Sequence, residues 1–298
     1  MSREAHPALP EFEYIKPKSL AEASQFLAEH PGESRPMLGG TDIFVRLRDG
    51  VWKENKFLID VKGLDGTDQI SFDPNSGLMI GAGVNMNRIS SHPEVRKHYP
   101  LLAQACDSVA AYQLRNRATV VGNICNASPA GDTIGACLLY EGTLTVHGVD
   151  GTRQEALSQF FKGPGKTNLK PGDVVTALSL PVPPEGFIGK YLKLNRNKRG
   201  DLAIVGVTAA SWPDKSAGTG LKVKLALASV APVPLVVTAV EDFFDKNQLN
   251  AETVPQAAQL AMDSCTPIDD VRGTAKYRKM MVRNLTKQAL TAILEERS

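Results

Sequence analysis

The sequence predicts an α+β protein in two parts, and three observations lead to this prediction. In the first part of the chain, short apolar strands alternate with helical segments. In the second part, strand-like segments come first and helical segments follow, as in a small antiparallel sheet with helices packed on one face. A Pro-rich break at residues 181–186, PVPPEG, separates the two parts. We therefore expect domains at residues 1–180 and 181–298.

The elements of the first part are predicted from short apolar runs and the turn residues between them. FEYI is a strand, and the segment after it is a helix that starts with a capping box formed by Ser19 and Glu22. A hairpin is predicted for TLTVHGVDGTRQE, with Asp150-Gly151 as its tight turn. The other predicted strands are RPML, KFLIDV, QISF, GLMIGAGV and VVTALSL, and YPLLAQACDSVAAY has helical spacing.

The second part has a different order of elements. Strands are predicted for FIGKYLKLN, LAIVGVTAASW and LKVKLALASV. Helices are predicted for TAVEDFFDKN, AETVPQAAQLAMDSC and AKYRKMMVRNLTKQALTAILEE. This order favours a domain in which one antiparallel sheet is covered by helices.

Charge and hydropathy exclude two classes of partner. The 298 residues carry 34 Lys and Arg against 32 Asp and Glu, a net charge of +2, so no basic surface for nucleic acid is predicted. No run approaches the roughly 20 apolar residues of a membrane helix, and the first ten residues contain no apolar signal segment. We expect a cytoplasmic protein with no membrane span and no nucleic-acid partner.

The four cysteines do not form a metal-binding pattern. They are scattered along the chain with no CxxC pair, as Cys106, Cys125, Cys137 and Cys265. Zinc and iron–sulfur sites use closely spaced ligands. We expect reduced thiols that are mostly buried as small hydrophobic side chains, and no metal site in this chain.

A glycine pair follows the predicted strand RPML, in the segment MLGGTD at residues 37–42. Glycine permits positive φ and close approach of other atoms, and a helix start offers free N–H donors that suit a phosphate. The segment is neither a P-loop nor GxGxxG, because no Lys-Ser or Lys-Thr and no third glycine follow in register. A tight turn with a helix cap by Thr41 or Asp42 is the alternative.

A second small-residue loop, ATVVGNICNASPAGDT at residues 118–133, favours the phosphate-binding interpretation of the first loop over the simple turn. Gly122-Asn123 closes a predicted apolar strand, and a helix is expected from about Ile134. Asp132 is either a cap for that helix or a carboxylate that accepts two hydrogen bonds from ribose hydroxyls. Two phosphate-compatible loops in one half of the chain favour a dinucleotide ligand.

The segments MLGGTD and RNRATVVGNICNASPAGDT, in this order, resemble the FAD-binding subunits of the molybdenum hydroxylases, such as xanthine dehydrogenase and carbon monoxide dehydrogenase. The resemblance extends over essentially the whole chain. It implies a PCMH-type FAD-binding domain with subdomains at about residues 1–62 and 63–180, followed by a C-terminal domain of the CO dehydrogenase flavoprotein type. It also implies FAD bound noncovalently. Many oxidases of the wider superfamily attach flavin through a His beside the first glycine loop, but here the neighbours are Leu38 and Thr41.

The resemblance also implies roles for individual residues. The first loop would wrap the FAD pyrophosphate, the second would supply side-chain hydrogen bonds, and Cys125 would cover one face of the isoalloxazine. Asp132 would lie near the adenosine ribose, Leu178 near the adenine or ring edge, and Lys193 near the flavin pyrimidine edge, where a cation raises the flavin potential. The loop residues are Met37, Leu38, Gly39, Gly40, Thr41 and Asp42, followed by Thr119, Gly122 and Asn123.

One residue departs from the family pattern. The second loop usually contains Thr-x-Gly-Gly-Asn, and Val121 replaces its first glycine here. A side chain at this position has to be accommodated by negative φ or by a shifted phosphate. The geometry around the diphosphate is therefore open to question on sequence grounds.

Three functions are compatible with these features. The leading one is an FAD electron-transfer subunit that takes electrons from [2Fe–2S] clusters of a small partner subunit, supplied by a molybdopterin-binding large subunit, and passes them to NAD⁺, a quinone or another acceptor. The second is a stand-alone oxidoreductase with noncovalent FAD. The third is a structural subunit that has lost its flavin, for which Val121 is the best support.

Overall fold

The N-terminal segment folds as a three-stranded parallel sheet with one helix on each face. The computed structural model describes residues 9–197 and 200–298. Ile59 packs with Ala23 of the first helix and its neighbour Leu58 packs with Leu47 of the second, because successive strand residues point to opposite faces. The strand order is β1-β3-β2, so that β2 is an edge strand. The elements are β1 Glu13–Ile15, α1 Leu20–Glu29, β2 Ser34–Met37, α2 Ile43–Arg48 and β3 Phe57–Asp60.

The Ser19 N-cap predicted for α1 is present, but the Glu22 carboxylate reaches back to Lys18 and not to the Ser19 N–H that a capping box uses. The Ser19 hydroxyl accepts a hydrogen bond from the Glu22 N–H at 3.1 Å. The Glu22 carboxylate in turn accepts from the Lys18 N–H at 2.6 Å. These bonds use donors that a helix start otherwise leaves unpaired, and they fix where α1 begins.

The next segment is an antiparallel sheet of order β4-β5-β10-β6-β7 that packs against short helices. The predicted hairpin is present, but Gly148 pairs with Gly151, so its turn residues are Val149 and Asp150 and not Asp150-Gly151. The elements are β4 Ile70–Asp73, β5 Gly77–Gly81, α3 Met86–Ser91, α4 Pro93–His98, α5 Pro100–Asp107, α6 Tyr112–Arg115, α7 Val120–Asn126, α8 Ile134–Leu139, β6 Thr143–Gly148, β7 Gly151–Ala156, α9 Leu157–Phe160, β8 Phe161–Gly163, β9 Lys166–Thr167 and β10 Val174–Leu180.

The C-terminal segment is an antiparallel sheet of order β11-β12-β13-β14 with three helices on one face, which confirms the predicted α+β class. Val207 of β12 packs under these helices, whereas Ala210 and Trp212 of the same strand pack against Leu139 of α8 on the other face. The elements are β11 Ile188–Leu194, β12 Val205–Pro213, β13 Leu221–Ala228, β14 Leu235–Val236, α10 Thr238–Phe244, α11 Thr253–Asp263 and α12 Ala275–Arg297.

Stacked aromatic rings join the two sheets at the Pro-rich break. The Phe187 ring lies between Tyr140 and Trp212, with centroid separations of 4.8 and 5.5 Å. Stacked pairs of this kind stabilise a contact beyond the area they bury. The junction therefore fixes the start of β11 against the end of α8. Within the described residues, no helix is both long and apolar enough to cross a membrane.

Candidate functional site

A cleft of about 520 Å³ lies between the parallel sheet and the following antiparallel sheet. One wall comes from the edge strand β2, the turn after it and α2, and the other from α7 and residues 165–175. Both glycine loops contribute to it. The expected site residues that line the cleft are Leu38, Gly39, Gly40, Thr41, Asp42, Thr119, Gly122, Asn123 and Cys125.

The other four expected site residues lie behind the cleft walls. Met37 is 3% exposed and belongs to the core between β2, β3 and α2. Leu178 is fully buried in β10, where it is the register partner of Ile80 and Leu144. Asp132 and Lys193 are buried together, at the junction with the C-terminal sheet.

The two glycines of the first loop meet different structural needs. A Cβ atom at Gly39 would lie 2.1 Å from the Arg117 carbonyl oxygen, so this glycine lets the first loop touch the chain that enters the second. Gly40 has φ of +76°, in the left-handed region that glycine adopts without strain. Helix α2 then begins after Asp42, whose side chain makes no capping hydrogen bond, so the side-chain cap expected from this carboxylate is not formed.

The second loop begins a helix, and the strand predicted there is wrong. Residues 120–126 form α7, with Thr119 as N-cap; its hydroxyl accepts from the Gly122 N–H at 2.9 Å. The β-branched pair Val120 and Val121 suggested a strand, but a good N-cap residue and burial of this face favour the helix. Both loops therefore lead into helix starts.

Asn123 keeps donors available to a ligand. Its side-chain oxygen accepts from the Thr133 hydroxyl at 2.8 Å. The Asn123 amide NH₂ and the Thr119 hydroxyl proton make no hydrogen bond to any other described residue of the chain. Because both residues line the cleft, these donors can serve phosphate or hydroxyl oxygens there.

Val121 does not enter the cleft. It is 1% exposed, lies in the interior of α7 and packs with the main core of the five-stranded antiparallel sheet and its helices. Its φ is not positive, since the four non-glycine residues with positive φ in the described chain are Ala110, Ala127, Glu141 and Ser229. The departure from the family pattern is thus accommodated by helical backbone.

Cys125 presents a neutral thiol to the cleft. Desolvation raises its pKa to about 12, so the thiol stays protonated at neutral pH. The other three cysteines are buried and free. A protonated thiol is a soft, compact surface and a poor nucleophile. Cys125 can therefore pack against a planar ring without reacting with it.

Charge in the cleft is concentrated near the first loop. Partial desolvation raises the pKa of the Asp42 carboxyl, while the charge of Arg46 and a hydrogen bond from Asn126 oppose this shift. Asp173 also lies in the cleft wall. Its carboxylate accepts two hydrogen bonds from the Arg153 guanidinium, at 2.8 and 2.6 Å, in a bidentate ion pair. The charge of Asp173 is neutralised by its ion pair with Arg153. The Asp42 carboxyl has no such two-bond partner and lies at the turn of the first loop.

Asp132 and Lys193 form a buried ion pair where the two sheets meet. The Lys193 ammonium lies 2.8 Å from one Asp132 oxygen, and the Tyr191 hydroxyl donates to the other at 2.6 Å. The ammonium also donates to the Ser108 carbonyl at 3.2 Å. Burial raises the pKa of Asp132, and the Lys193 and Tyr191 contacts counteract that effect.

This pair conflicts with two roles that the resemblance implies. The adenosine ribose and the flavin pyrimidine edge lie at opposite ends of an extended FAD, yet Asp132 and Lys193 share one charge contact. The geometry therefore does not allow both roles at once. Lys193 donates to the Ser108 carbonyl, and the next residue, Val109, lines the cleft. The ion pair therefore lies behind the cleft wall at that point.

Sequence reasoning missed part of the cleft wall. Arg35, Arg46 and Trp52 line it from β2, α2 and the following turn, and residues 165–175 line it from the opposite side. The segment GPGKTNLKPGD had a signal, since its glycines and prolines mark turns between strands. No sequence signal marks the two arginines as part of a site, because scattered basic residues near a helix are usually solvated.

Family models match both parts of the chain. Residues 10–183 match the FAD binding domain in molybdopterin dehydrogenase, and residues 190–293 match the CO dehydrogenase flavoprotein C-terminal domain. The chain is 31% identical over 285 residues to the carbon monoxide dehydrogenase medium chain of Hydrogenophaga pseudoflava, covering 95% of this chain and 97% of the relative. It is 25% identical over 279 residues to the xanthine dehydrogenase FAD-binding subunit of Escherichia coli O157:H7, covering 93% and 94%.

The fold is similar to a solved structure over nearly all of its length. A chain of carbon monoxide dehydrogenase from Hydrogenophaga pseudoflava, in the form lacking the Mo-pyranopterin moiety of the molybdenum cofactor, superimposes with a TM-score of 0.90. The identity is 30%, and the match covers 97% of this chain and 99% of the other. The overall arrangement of strands and helices is therefore shared with that chain.

Proposed function

We propose that this chain, which belongs to the family of FAD-binding subunits of the molybdenum hydroxylases, transfers electrons through one noncovalently bound FAD in the cleft. The observation that carries the proposal is the meeting of two glycine loops in one cleft, within the 10–183 region that matches the FAD binding domain. When bound, FAD supplies the redox chemistry by accepting and releasing electrons. The chain holds the cofactor, orients it and keeps water away.

The two loops are proposed to hold the diphosphate and its neighbouring hydroxyls. The first offers backbone N–H groups at a turn opened by Gly39 and Gly40, next to the start of α2. The second offers the Thr119 hydroxyl and the Asn123 amide. Donors that are already fixed by local structure lose little freedom on binding, which favours a tight noncovalent complex.

The planar part of the cofactor is proposed to lie toward Cys125 and Val109. Leu38, Cys125 and Val109 line the cleft with apolar or neutral surface, which excludes water from a ring placed there. Asp132 and Tyr191 fix the Lys193 ammonium behind Ser108. Because Asp132 balances the Lys193 charge, we propose that the pair supports this end of the site by holding the Ser108 carbonyl in place, and that it does not act as an unpaired cation. Leu178 and Met37 support the walls from the core and make no proposed contact with the cofactor.

The electron donor and acceptor are proposed to lie outside this chain. The Hydrogenophaga relative is named a medium chain. Such a name belongs to one member of a larger assembly. We propose a small partner subunit with [2Fe–2S] clusters as the donor, a molybdopterin-binding large subunit as the origin of the electrons, and NAD⁺, a quinone or another acceptor as their destination. A cytoplasmic location is part of the same proposal.

Purification of the native assembly from its source tests this function. We expect three kinds of subunit, with molybdenum, iron and one FAD for each copy of this chain. Acid denaturation is expected to release all of the flavin, because no covalent link is formed. Reduction of the flavin by the substrate of the large subunit, followed by its reoxidation with candidate acceptors, identifies the acceptor.

Two results would contradict the proposal. A colourless assembly that releases no flavin on denaturation would favour a structural subunit. A yellow chain that purifies without metal or partner chains and turns over an organic substrate repeatedly would favour a stand-alone oxidoreductase. A chain carrying Arg48→Gln, purified in the same way, is a suitable control variant, because Arg48 is exposed and lies outside the cleft.

A further inference from the structure

The surface at the start of α12 combines exposed apolar side chains with exposed cations. In the segment before the helix, Ile268 is 70% exposed and Val271 is 93% exposed. On the first turns of the helix, Tyr277 and Met280 are each 41% exposed. Single exposed apolar residues are common, but several at one place mark an interaction surface. We call these four residues, together with the cations beside them, the α12 face.

The cations of the α12 face form one row with Met280. Lys276, Met280, Arg283 and Lys287 are spaced four, three and four residues apart, so their side chains lie along one side of the helix. All three cations are exposed. Within residues 9–197 and 200–298, none of them forms an ion pair with a carboxylate.

The two carboxylates of this segment are engaged elsewhere. Residues 268–287 contain six Lys and Arg against two Asp, an excess of positive charge larger than the +2 of the whole chain. Asp269 accepts a hydrogen bond from the Ala275 N–H at the start of α12. Asp270 accepts from Arg272 and Arg278, and these contacts hold its pKa well below its usual range. Positive charge therefore dominates the α12 face.

Helix stability does not explain this charge. The positive end of the helix dipole favours acidic residues in the first turn, yet that turn of α12 contains none and carries Lys276. The acidic residues Glu295 and Glu296 lie at the other end of the helix, where the dipole disfavours them. The order of charges is opposite to the one that would stabilise the helix, which points to a role outside the fold.

Arg278, which is 1% exposed, holds the α12 face in place from below. Its guanidinium donates to the carbonyls of Ile204 and Ser229, both at 2.9 Å, and to Asp270 at 2.6 Å. The Ser229 N–H in turn donates to the Pro129 carbonyl of the second small-residue loop at 2.7 Å. A surface fixed in this way loses little freedom when a partner binds.

We propose that the α12 face docks an acidic, partly apolar face of another subunit of the assembly. The inference rests on the proposed function, from which it takes the existence of partner subunits. A basic row beside exposed apolar side chains is complementary to carboxylates that surround an apolar contact. A second copy of this chain would bring the same positive charge to a two-fold contact, so like-charge repulsion opposes self-association through this face.

Two charge-reversal variants of the full chain, each expressed with the other subunits of the native assembly, test the inference. Lys276→Glu with Arg283→Glu alters the α12 face. Lys215→Glu with Lys246→Glu is the matched control, because both lysines are exposed and lie after β12 and after α10, away from the start of α12. Dilution of each purified assembly, followed by native mass spectrometry, gives the dissociation constant of this chain from its partners.

We expect the first double variant to raise that dissociation constant about tenfold or more, because like charges then face each other, and the control to leave it unchanged. The thermal stability of the variant chain should be retained or raised, since Lys276→Glu places an acid at the helix start. A purely structural role would instead lower the stability. Val271→Ser, at a position that is 93% exposed, should weaken association about threefold and leave the fold unchanged.

Zero-length carbodiimide cross-linking of the wild-type assembly is the second measurement, and it needs no variant. We expect Lys276 or Lys287 to be joined to Asp or Glu of a partner subunit. Equal dissociation constants for the two double variants, or cross-links from these lysines only within this chain, would overturn the inference. Binding of the wild-type assembly to phosphatidylserine vesicles, lost only in the first double variant, would assign the face to a membrane and overturn it too. An assembly with no other subunit would contradict the proposed function itself.

Discussion

The Lys193 ammonium lies 2.8 Å from the Asp132 carboxylate, in a contact where both side chains are less than one-tenth exposed. Asp132 comes from the loop before α8 and Lys193 from β11, so this pair crosses from the FAD-binding region to the C-terminal sheet. Tyr191, two residues before Lys193 on the same strand, completes the carboxylate's hydrogen bonds. The contact fixes how the C-terminal sheet sits beside the cleft.

Removing one member of this pair should destabilise the chain strongly. Asp132→Asn leaves the ammonium buried without a counter-charge, and we expect a loss of about 3–5 kcal/mol in the free energy of unfolding. The double variant Asp132→Asn, Lys193→Gln should recover part of that loss, because no charge then remains unpaired. Urea denaturation of Asp132→Asn, of Lys193→Gln and of the double variant measures the coupling. Additive losses would show that the pair does not act as a unit.

Substitution of Gly39 should separate the two loops. The new Cβ of Gly39→Ala would lie 2.1 Å from the Arg117 carbonyl oxygen, so the backbone must move. We expect a chain that loses most of its FAD during gel filtration, measured by flavin absorbance per chain, and that unfolds at lower temperature. Gly63→Ala is the matched control, because no atom lies within 4 Å of its Cβ position and its φ is not in the left-handed region. Equal FAD retention in both variants would contradict this prediction.

The order and type of most elements followed from sequence, and the exceptions have local causes. Ser19 and Glu22 predicted the start of α1 because a capping box is a short-range signal. At α7 the β-branched pair Val120 and Val121 favours a strand, but the Thr119 cap and tertiary burial override that preference. Short apolar runs are the least certain case for periodicity alone.

The candidate site was predictable only where glycine or a resemblance marked it. The twin glycines indicated a turn, and the family pattern indicated its ligand. The ion pair of Asp132 and Lys193 joins residues 61 positions apart, and no local pattern predicts such a contact. The same holds for Arg35 and Arg46, which become a pair only when Trp52 folds between the strand and the helix.

Stability should fall in acid as Asp173 is protonated. Burial by itself would raise the pKa of Asp173, but hydrogen bonds from Arg153 and the Lys170 N–H outweigh it, and the pKa is lowered. A carboxyl with a lowered folded pKa contributes stability above its unfolded pKa of about 3.9, and that contribution disappears as pH falls through the folded value. Asp173→Asn should therefore cost about 1–3 kcal/mol near pH 7 and progressively less below pH ~4.

Chemical denaturation at a series of pH values from neutral to strongly acidic measures this difference. Asp214→Asn is a suitable control, because the lowered pKa of Asp214 comes from a turn contact with Ser216 and involves no arginine. A gap between the wild type and Asp173→Asn that stays constant with pH would show that the carboxylate charge is not the stabilising feature.

Restoring the family glycine at position 121 should not improve the cofactor site. Val121→Gly removes a side chain that packs in the core and leaves the cleft wall unchanged, since Val121 is 1% exposed and does not line the cleft. We expect a loss of about 3 kcal/mol in stability, from lost apolar burial and from glycine within α7, with FAD affinity of the folded chain within about twofold of the wild type. Val121→Ala, which retains helix propensity, should lose less stability and bind FAD equally well. A large gain in FAD affinity for the glycine variant alone would instead mean that Val121 restricts the diphosphate through the backbone of α7.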